Sequence, residues 1–563
     1  MAASVKQESP GFSLASAVGS VKRVLIVHGY LLTGTGSNLF VNNLCRSLVK
    51  RGHSVTLVCQ EPSPDRFEFI SRAYQFCPDN HSLTCLFTRS TRHAGDCDFY
   101  RPDIGGLLPV YVYDHYDGYA VKEYPTLSQS EIEEYVARNT RALDYLLSCS
   151  PYDLIISNHT IMQPVYVARA RAEYSGPLHF MVMHGSCLNF SIRKSPALRK
   201  YALEGINDAH RIVFGSSHSK SEFLEFFSDL PGLEAKTAII PAAVDVSEFR
   251  PLESSQADRY GSFLAKLASR RAPPDGQYDE KRLFSINPQD DPIVLYYGKY
   301  LWTKGLQFLV AAMPFVTQRY PHAKLILVGY GSLHSYVRAL VGALKTGDRR
   351  AFAAMLTRPS EYIAGLSGEE SRHLERLSAG LMSLLGDEAR AAGYFSAGQM
   401  TARNTFLTGP MDHNELSDLI PCADLTVAPS VFPESFGMVA VEALASGVIP
   451  IQTNHSGFRD VIRVYEKEFK ELLTAAGTKP LDLNENLVPA MAANILGLLC
   501  RIQGMSPEER ADVRSRAHAL ADRHYSWDSM ATRYLEEASR LAGRQSPPMP
   551  PASGRARSTR VTS

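Results

Sequence analysis

The chain has no run of 18 or more apolar residues, which excludes a membrane-spanning helix. Its opening, MAASVKQESPGFSLASAVGSVKR, lacks the apolar stretch of a secretory leader. Rich in Ser and Ala, with Glu8 its one acid, that opening leaves an organelle-transit segment as the weaker alternative to a cytoplasmic location. An excess of one charge is also missing. Fifty-nine Lys and Arg stand against 58 Asp and Glu, a net charge of +1, which argues against a general electrostatic grip on nucleic acid. Any anionic ligand must be met by charge gathered locally. Closely paired cysteines are absent as well: the nine cysteines, an odd number scattered over 563 residues, fit a reducing compartment better than a disulfide framework.

What is present is a globular composition, 45% hydrophobic and 21% charged, long enough for two or more domains. The segment KRVLIVHGYLLTGTGSNLFVNNLCRSLVKRGHSVTLVCQ predicts a buried strand from Val24 to His28, a loop with Gly34 and Gly36, and an amphipathic helix stopped by Gly52. A second strand, Val55 to Cys59, completes a βαβ opening, the signature of a doubly wound parallel sheet. Further strands are expected at Leu154 to Ser157, His179 to Met183, Ile212 to Gly215 and Ala238 to Ile240. After a polar stretch from Glu253 to Asp291 the pattern restarts with PIVLYYGKYLWTKGLQFLVAAMPFV. The expected organisation is a flexible N-terminus over 1–20, a Rossmann-like acceptor-side domain over 21–252, a linker over 253–291 and a second Rossmann-like, donor-side domain over 292–525. The second domain carries a charged helical insert over about 333–405; a helix over 526–545, with Ser526 as its cap, and a disordered tail over 546–563 follow.

Cys77, His81, Cys85, His93 and Cys97 are of the residue types that bind zinc, but at spacings unlike those of zinc sites, and a surface excursion with ordinary thiols is the competing reading. Asp96-Cys97-Asp98 has the Asp-x-Asp form used in metal-dependent glycosyl transfer, a match short enough to arise by chance.

In PESFGMVAVEALASG, Glu434 and Glu442 bracket an apolar run. A helix from Gly437 to Ser446, with Ser435 near its cap, would place Glu442 about 7 to 8 Å along the axis, the span of a diphosphate between two sugars. The N–H groups of Phe436, Gly437 and Met438 would then form an anion site, and each carboxylate could accept hydrogen bonds from a diol. A capped core helix with an acid at its start explains the same spacing. Lys299, directly after a strand, and Lys304, before Gly305 and a helix, could neutralise a pyrophosphate leaving group without a metal, or could be solvated loop charges. His159 and His184-Gly185 end two strands of the first half, and several histidines at one sheet edge suggest the wall of a site.

In this order, Gly298-Lys299 with Lys304-Gly305, then LILVGYGS, then DLTVAPSVFPESFGMVAVEALASGVIPIQTNHSGF, the chain resembles the retaining glycosyltransferases of group 1, also called family 4, which have the GT-B fold. KRGHSVTLV, HGS, IIPAAVDVSEFRP and the terminal YSW helix extend the resemblance over most of residues 22–540. It implies an α/β protein of two Rossmann-like doubly wound parallel-sheet domains facing across a cleft, which moves a hexosyl unit from a nucleoside-diphosphate sugar to an acceptor hydroxyl on a glycan, a glycolipid or a small molecule. Carried over by position, Glu442 would hold the nucleotide ribose, Glu434 would face the donor sugar, and Lys299 and Lys304, next to Gly298, would meet the phosphates. The backbone of Phe436, Gly437, Met438 and Val439 would cover sugar and pyrophosphate, His184 would lie near the reacting face, and Gly36 would close over the leaving phosphate. No metal or other cofactor is implied. Beyond the donor, the partners expected are an unidentified hydroxyl acceptor and, for a lipid acceptor, a peripheral membrane contact.

Three departures stand out. Lys299 occupies a place usually held by arginine, Ala242-Ala243-Val244-Asp245 replaces Asn-Gly-Val-Asp and lacks its glycine, and the 333–405 insert has no family role to transfer. A sugar phosphorylase, a nucleotide-sugar epimerase and a non-catalytic nucleotide-sugar-binding regulator are the alternatives on the same scaffold.

Overall fold

A computed structural model describes residues 21–34, 36–112, 116–174, 176–251, 255–269 and 278–545. Contacts divide it into two compact units: residues up to Val213 with those from Ala531 onward, and Phe214 to Met530.

Short apolar runs of β-branched residues become buried parallel strands because both faces of such a sheet are covered. RVLIV forms β1 (Arg23–Val27), in which Val24 to Val27 are fully buried. In chain order there follow β2 (Ser54–Val58), β3 (Arg72–Phe76), β4 (Leu83–Thr88), β5 (Cys97–Arg101), β6 (Leu107–Val110), β7 (Ala120–Glu123), β8 (Leu154–Asn158), β9 (Leu178–Met183), β10 (Arg211–Phe214) and β11 (Thr237–Ile239). The first sheet has the order β11-β10-β9-β8-β1-β2-β5-β3-β4, and β6 and β7 form a separate parallel pair. β1 lies parallel between β2 and β8, so the strand order reverses there and a crevice opens at the carboxyl ends of β1 and β8. The expected strands of this half appear with ends shifted by at most one residue.

The region around the Cys/His cluster departs from a surface excursion: it supplies β3, β4 and β5, which extend the sheet, with β4 antiparallel to β3. The cluster is thereby pulled apart. Cys97 is fully buried in β5, where burial raises its thiol pKa well above the ordinary range, while Cys85 is exposed on β4. Among the described residues no three His, Cys, Asp or Glu side chains gather as metal ligands. Asp98, of the Asp-x-Asp match, is held by Arg72 in a two-pronged ion pair of 2.6 and 2.9 Å.

The second unit contains β12 (Ile293–Tyr297), β13 (Lys324–Val328), β14 (Thr405–Thr408), β15 (Leu425–Ala428) and β16 (Ile449–Gln452), all parallel, in the order β14-β13-β12-β15-β16. Between β13 and β14 lie four helices, His334–Thr346, Arg349–Thr357, Gly368–Leu385 and Glu388–Arg403, where the charged insert is expected. Part of the polar stretch before β12 is a helix, Gln256–Ser269, because Tyr260, Phe263 and Leu267 align on one buried face. Ala242 to Asp245 need no left-handed residue: Val244 N–H bonds to Tyr525 O at 2.7 Å and the turn closes through Phe249 N–H to Asp245 O at 2.9 Å. Ser526 accepts from Ser529 N–H at 3.2 Å and starts the last helix, Trp527–Gln545, which carries the buried Met530, Tyr534 and Leu535. The expected flexible N-terminus and disordered tail lie outside the described residues. Among the described residues no helix is long and apolar enough to cross a membrane.

Candidate active site

The second unit gathers its charged groups where strands end and helices begin. After β12 the chain turns at Gly298, with Lys299 exposed on the turn, and a short 3-10 turn, Trp302–Lys304, leads into the helix Leu306–Arg319. Gly305 has φ +71°, and a Cβ there would stand 1.9 Å from the Pro429 carbonyl oxygen, so only glycine lets these two stretches of backbone meet. Val431 N–H donates to Thr303 O at 2.8 Å across the same contact. This brings Lys304 to Glu434, and Lys304 Nζ donates to Glu434 Oε1 at 2.6 Å. Ser430 Oγ donates to the same carboxylate oxygen.

The helix of the apolar run spans Met438–Ala445. Its cap is Gly437, at φ +114°, and Ser435 makes no side-chain cap bond. The glycine is required by two constraints: the left-handed backbone, and a Phe458 ring whose Cδ1 would lie 2.3 Å from any Cβ at 437. The anion-site reading of Gly437 therefore competes with a packing reason that the sequence did not show. Ala440 N–H to Gly437 O, at 3.1 Å, is the first bond of the turn, which leaves the N–H groups of Gly437, Met438 and Val439 without intrahelical acceptors. Phe436 is buried against Tyr525, with ring centroids 5.9 Å apart.

Glu442 lies on the buried face of this helix, only 8% exposed. Burial lifts its carboxyl to about 7, against the opposing pull of His413 and of a hydrogen bond from Tyr297. The single hydrogen of the Tyr297 hydroxyl is shared between that carboxyl and Val439 O, tying the end of β12 to the helix start. Glu434 and Glu442 thus stand in different environments: the first is paired with a lysine, the second is buried and half-protonated near neutral pH.

In the first unit three histidines meet at the carboxyl ends of β1, β8 and β9. His28 follows β1, His159 follows β8 at φ +66°, and His184 follows β9. The His159 ring lies 4.7 Å from His184 and 6.3 Å from His28, centroid to centroid. Asn158 Nδ2 donates to Val27 O at 3.1 Å, so its Oδ1 accepts from His184 Nε2 at 2.9 Å and leaves His184 Nδ1 as an acceptor. Asn38, on the helix Ser37–Lys50, repeats the arrangement with His28 Nε2 at 3.0 Å. Burial is the main cause that lowers all three imidazoles, His28 to about 4, His184 to about 3 and His159 well below its ordinary range, so all are neutral at pH 7. Gly36, at φ +62°, is the N-cap of the helix Ser37–Lys50. His28, Tyr297, Ser430 and His455 were not singled out from sequence. His28 carried a readable signal, a polar residue ending the first buried strand.

Two parallel doubly wound units, with charged and polar groups gathered at strand ends, define the GT-B class of α/β protein. Within that class the chain belongs to the group 1 / family 4 glycosyltransferases: the family described as Glycosyltransferase Family 4 matches residues 34–248, and that described as Glycosyl transferases group 1 matches residues 393–486. A phosphatidyl-myo-inositol mannosyltransferase of Mycobacterium tuberculosis is 24% identical over 260 residues, 46% of this chain and 49% of that protein. The chain thus spans about half the length of the curated relatives it matches. Among solved structures, Anabaena HepE in complex with UDP aligns with 15% identity over 92% of this chain and 100% of that one, at a TM-score of 0.49. Sucrose-phosphate synthase from Thermosynechococcus elongatus aligns with 16% identity over 93% and 100%, at a TM-score of 0.46.

Proposed function

We propose that the chain is a retaining glycosyltransferase that moves a hexosyl unit from a nucleoside-diphosphate sugar to an acceptor hydroxyl. The observation that carries this reading is the second unit's pairing of Lys304 with Glu434, next to a helix start whose glycine cap leaves N–H groups open. Lys304 has three N–H donors; Glu434 takes one, and two remain for phosphate oxygens. Lys299 and the helix N-terminus add positive potential where the leaving diphosphate gains charge, so the residues themselves can carry the neutralisation without a divalent metal.

As the bond between the sugar's anomeric carbon and the phosphate oxygen breaks, a bond to the acceptor oxygen forms and the acceptor's proton passes to a donor phosphate oxygen. Glu434 accepts hydrogen bonds from the sugar and Glu442 from the ribose diol. Gly298, Phe436 and Val439 contribute backbone lining. His184 stays neutral and offers the lone pair on Nδ1 as an acceptor. The acceptor is a hydroxyl carrier, a glycan, a glycolipid or a small molecule; with a lipid acceptor the chain sits against a membrane surface.

The test is a thermal-shift screen of UDP, GDP and ADP with their glucose and mannose derivatives, followed by transfer assays with the sugar nucleotide that stabilises most. Retention is read from the anomeric configuration of the product by NMR. If no nucleotide raises the melting point, or if the product is inverted, the proposal fails.

A further inference from the structure

The loop that carries Glu434 is held by a second loop, Asn454 to Gly457, after β16. His455 Nε2 lies 2.8 Å from the Ser430 carbonyl oxygen, and a carbonyl can only accept, so Nε2 carries the hydrogen. The other ring nitrogen, Nδ1, is therefore an acceptor, and Ser456 Oγ, 2.9 Å away, donates to it. The same Ser456 oxygen is left to accept, and it receives Glu434 N–H at 2.8 Å. One continuous path of hydrogen bonds thus runs from the Glu434 backbone through Ser456 and His455 to Ser430, whose own hydroxyl returns to the Glu434 carboxylate. Gly457 N–H closes the other side of the residue by donating to Glu434 O at 2.9 Å.

The geometry around this path is tight. Ser456 has φ +46°, one of three non-glycine residues in the left-handed region among the described residues, and a backbone that side chains rarely adopt is retained only where something holds it. A Cβ at Gly457 would stand 2.6 Å from Phe436 backbone atoms, so the two loops touch main chain to main chain. Glycine would be the low-cost choice at position 456. Serine there accepts the strain and adds one hydroxyl, and that hydroxyl is the acceptor for Glu434 N–H.

We propose that His455 and Ser456 are positioning residues for Glu434, fixing its backbone and, through Ser430, the orientation of its carboxylate. The inference rests on the donor-sugar role given to Glu434 above. It goes beyond that role by assigning the discrimination between a sugar nucleotide and its bare nucleoside diphosphate to two residues that touch neither.

Ser456→Gly is the informative variant. It removes the hydroxyl and leaves the left-handed backbone unstrained, so the fold is kept and the melting point stays within about 2 °C of wild type. Affinities are measured by calorimetry for UDP-glucose against UDP, GDP-mannose against GDP and ADP-glucose against ADP, in wild type, Ser456→Gly, His455→Leu and Glu434→Gln. In the pair that binds, loss of the half-buried acceptor for Glu434 N–H weakens the sugar nucleotide about tenfold in Ser456→Gly and leaves the nucleoside diphosphate within about twofold. His455→Leu moves the same ratio in the same direction, since Thr453 Oγ1 still satisfies Ser430 O at 2.6 Å and the loop keeps a tether. If Glu434→Gln lowers the ratio while Ser456→Gly and His455→Leu leave it at wild type, the positioning role is overturned and the role of Glu434 stands. If Glu434→Gln itself leaves the ratio unchanged, both are overturned. An equal fall for sugar nucleotide and nucleoside diphosphate in the two loop variants is the mark of general loop damage and also overturns the proposal.

Discussion

Replacing Glu442 by Gln should stabilise the free protein at alkaline pH and at the same time cost it donor affinity. The carboxyl titrates at about 7 against an ordinary value of 4.5, chiefly because it is buried. A folded state that holds a proton the unfolded chain has released is favoured at low pH, so this group's contribution is fully present below 4.5 and is lost as pH rises through 7. At about 1.4 kcal/mol for each pH unit, the loss reaches about 3 kcal/mol above pH 7. Gln cannot ionise and escapes it. For a unit of this size, about 3 kcal/mol corresponds to about 5 °C in the melting point. Thermal unfolding of both proteins from pH 4.5 to 8.5, without nucleotide, should give curves that coincide near pH 4.5 and diverge by about 5 °C at pH 8, with the variant higher. Parallel curves, or a variant that melts lower at pH 8, would refute the placement of a strained, ionising carboxyl at this position. Because a ribose diol donates to the ionised form, nucleotide binding to the wild type should release a proton, and its affinity should climb about tenfold per unit as pH rises toward 7. The Gln variant should bind more weakly and show no such slope.

Lys304→Ala should lower turnover by about a hundredfold or more, measured as initial transfer rate at saturating donor, while nucleoside diphosphate affinity falls much less. Unchanged turnover would remove Lys304 from the site. Gly437→Ala should cost about 2 to 4 kcal/mol, because it adds strain at φ +114° to the collision with Phe458; adding Phe458→Leu should recover part of that loss in the melting point, and no recovery would put the cost on the backbone alone. Transfer assayed with and without EDTA should run at the same rate, since lysines and helix N–H groups supply the positive charge; loss of activity restored by Mg2+ or Mn2+ would contradict that.

The parallel core was legible in the sequence because its strands are uninterrupted apolar runs followed by glycine turns, as in RVLIV before His28-Gly29 and IVLYY before Gly298. β3 to β5 were not. RAYQF and LTCLFT are half-exposed at the edge of the sheet, and neither a continuous nor a strictly alternating pattern marks them. At the site, the residue types were readable and their partners were not. Glu434 and Lys304 are 130 positions apart, and nothing local to either predicts that they pair. Gly437 reads as a glycine before a helix, but the reason no other residue fits is a Phe458 ring 21 positions on. Ser456 looks like an ordinary loop serine until its left-handed backbone and its bond to Glu434 N–H are seen together.

The contact of Gly305 with the Pro429 carbonyl, reinforced by Val431 N–H on Thr303 O, joins the two charged loops through atoms that every amino acid shares. Their spacing is therefore set first by the main chain, and the Ser430, His455 and Ser456 side chains then fix Glu434 within it. Residues 304 and 434 can be exchanged for others of different length or charge without dismantling the frame, so long as position 305 remains glycine. Such a frame lets donor preference drift by single substitutions while the distance between the phosphate-facing and sugar-facing groups stays constant. Selection at positions 304 and 434 then acts chiefly on chemistry, within a spacing that the main chain sets.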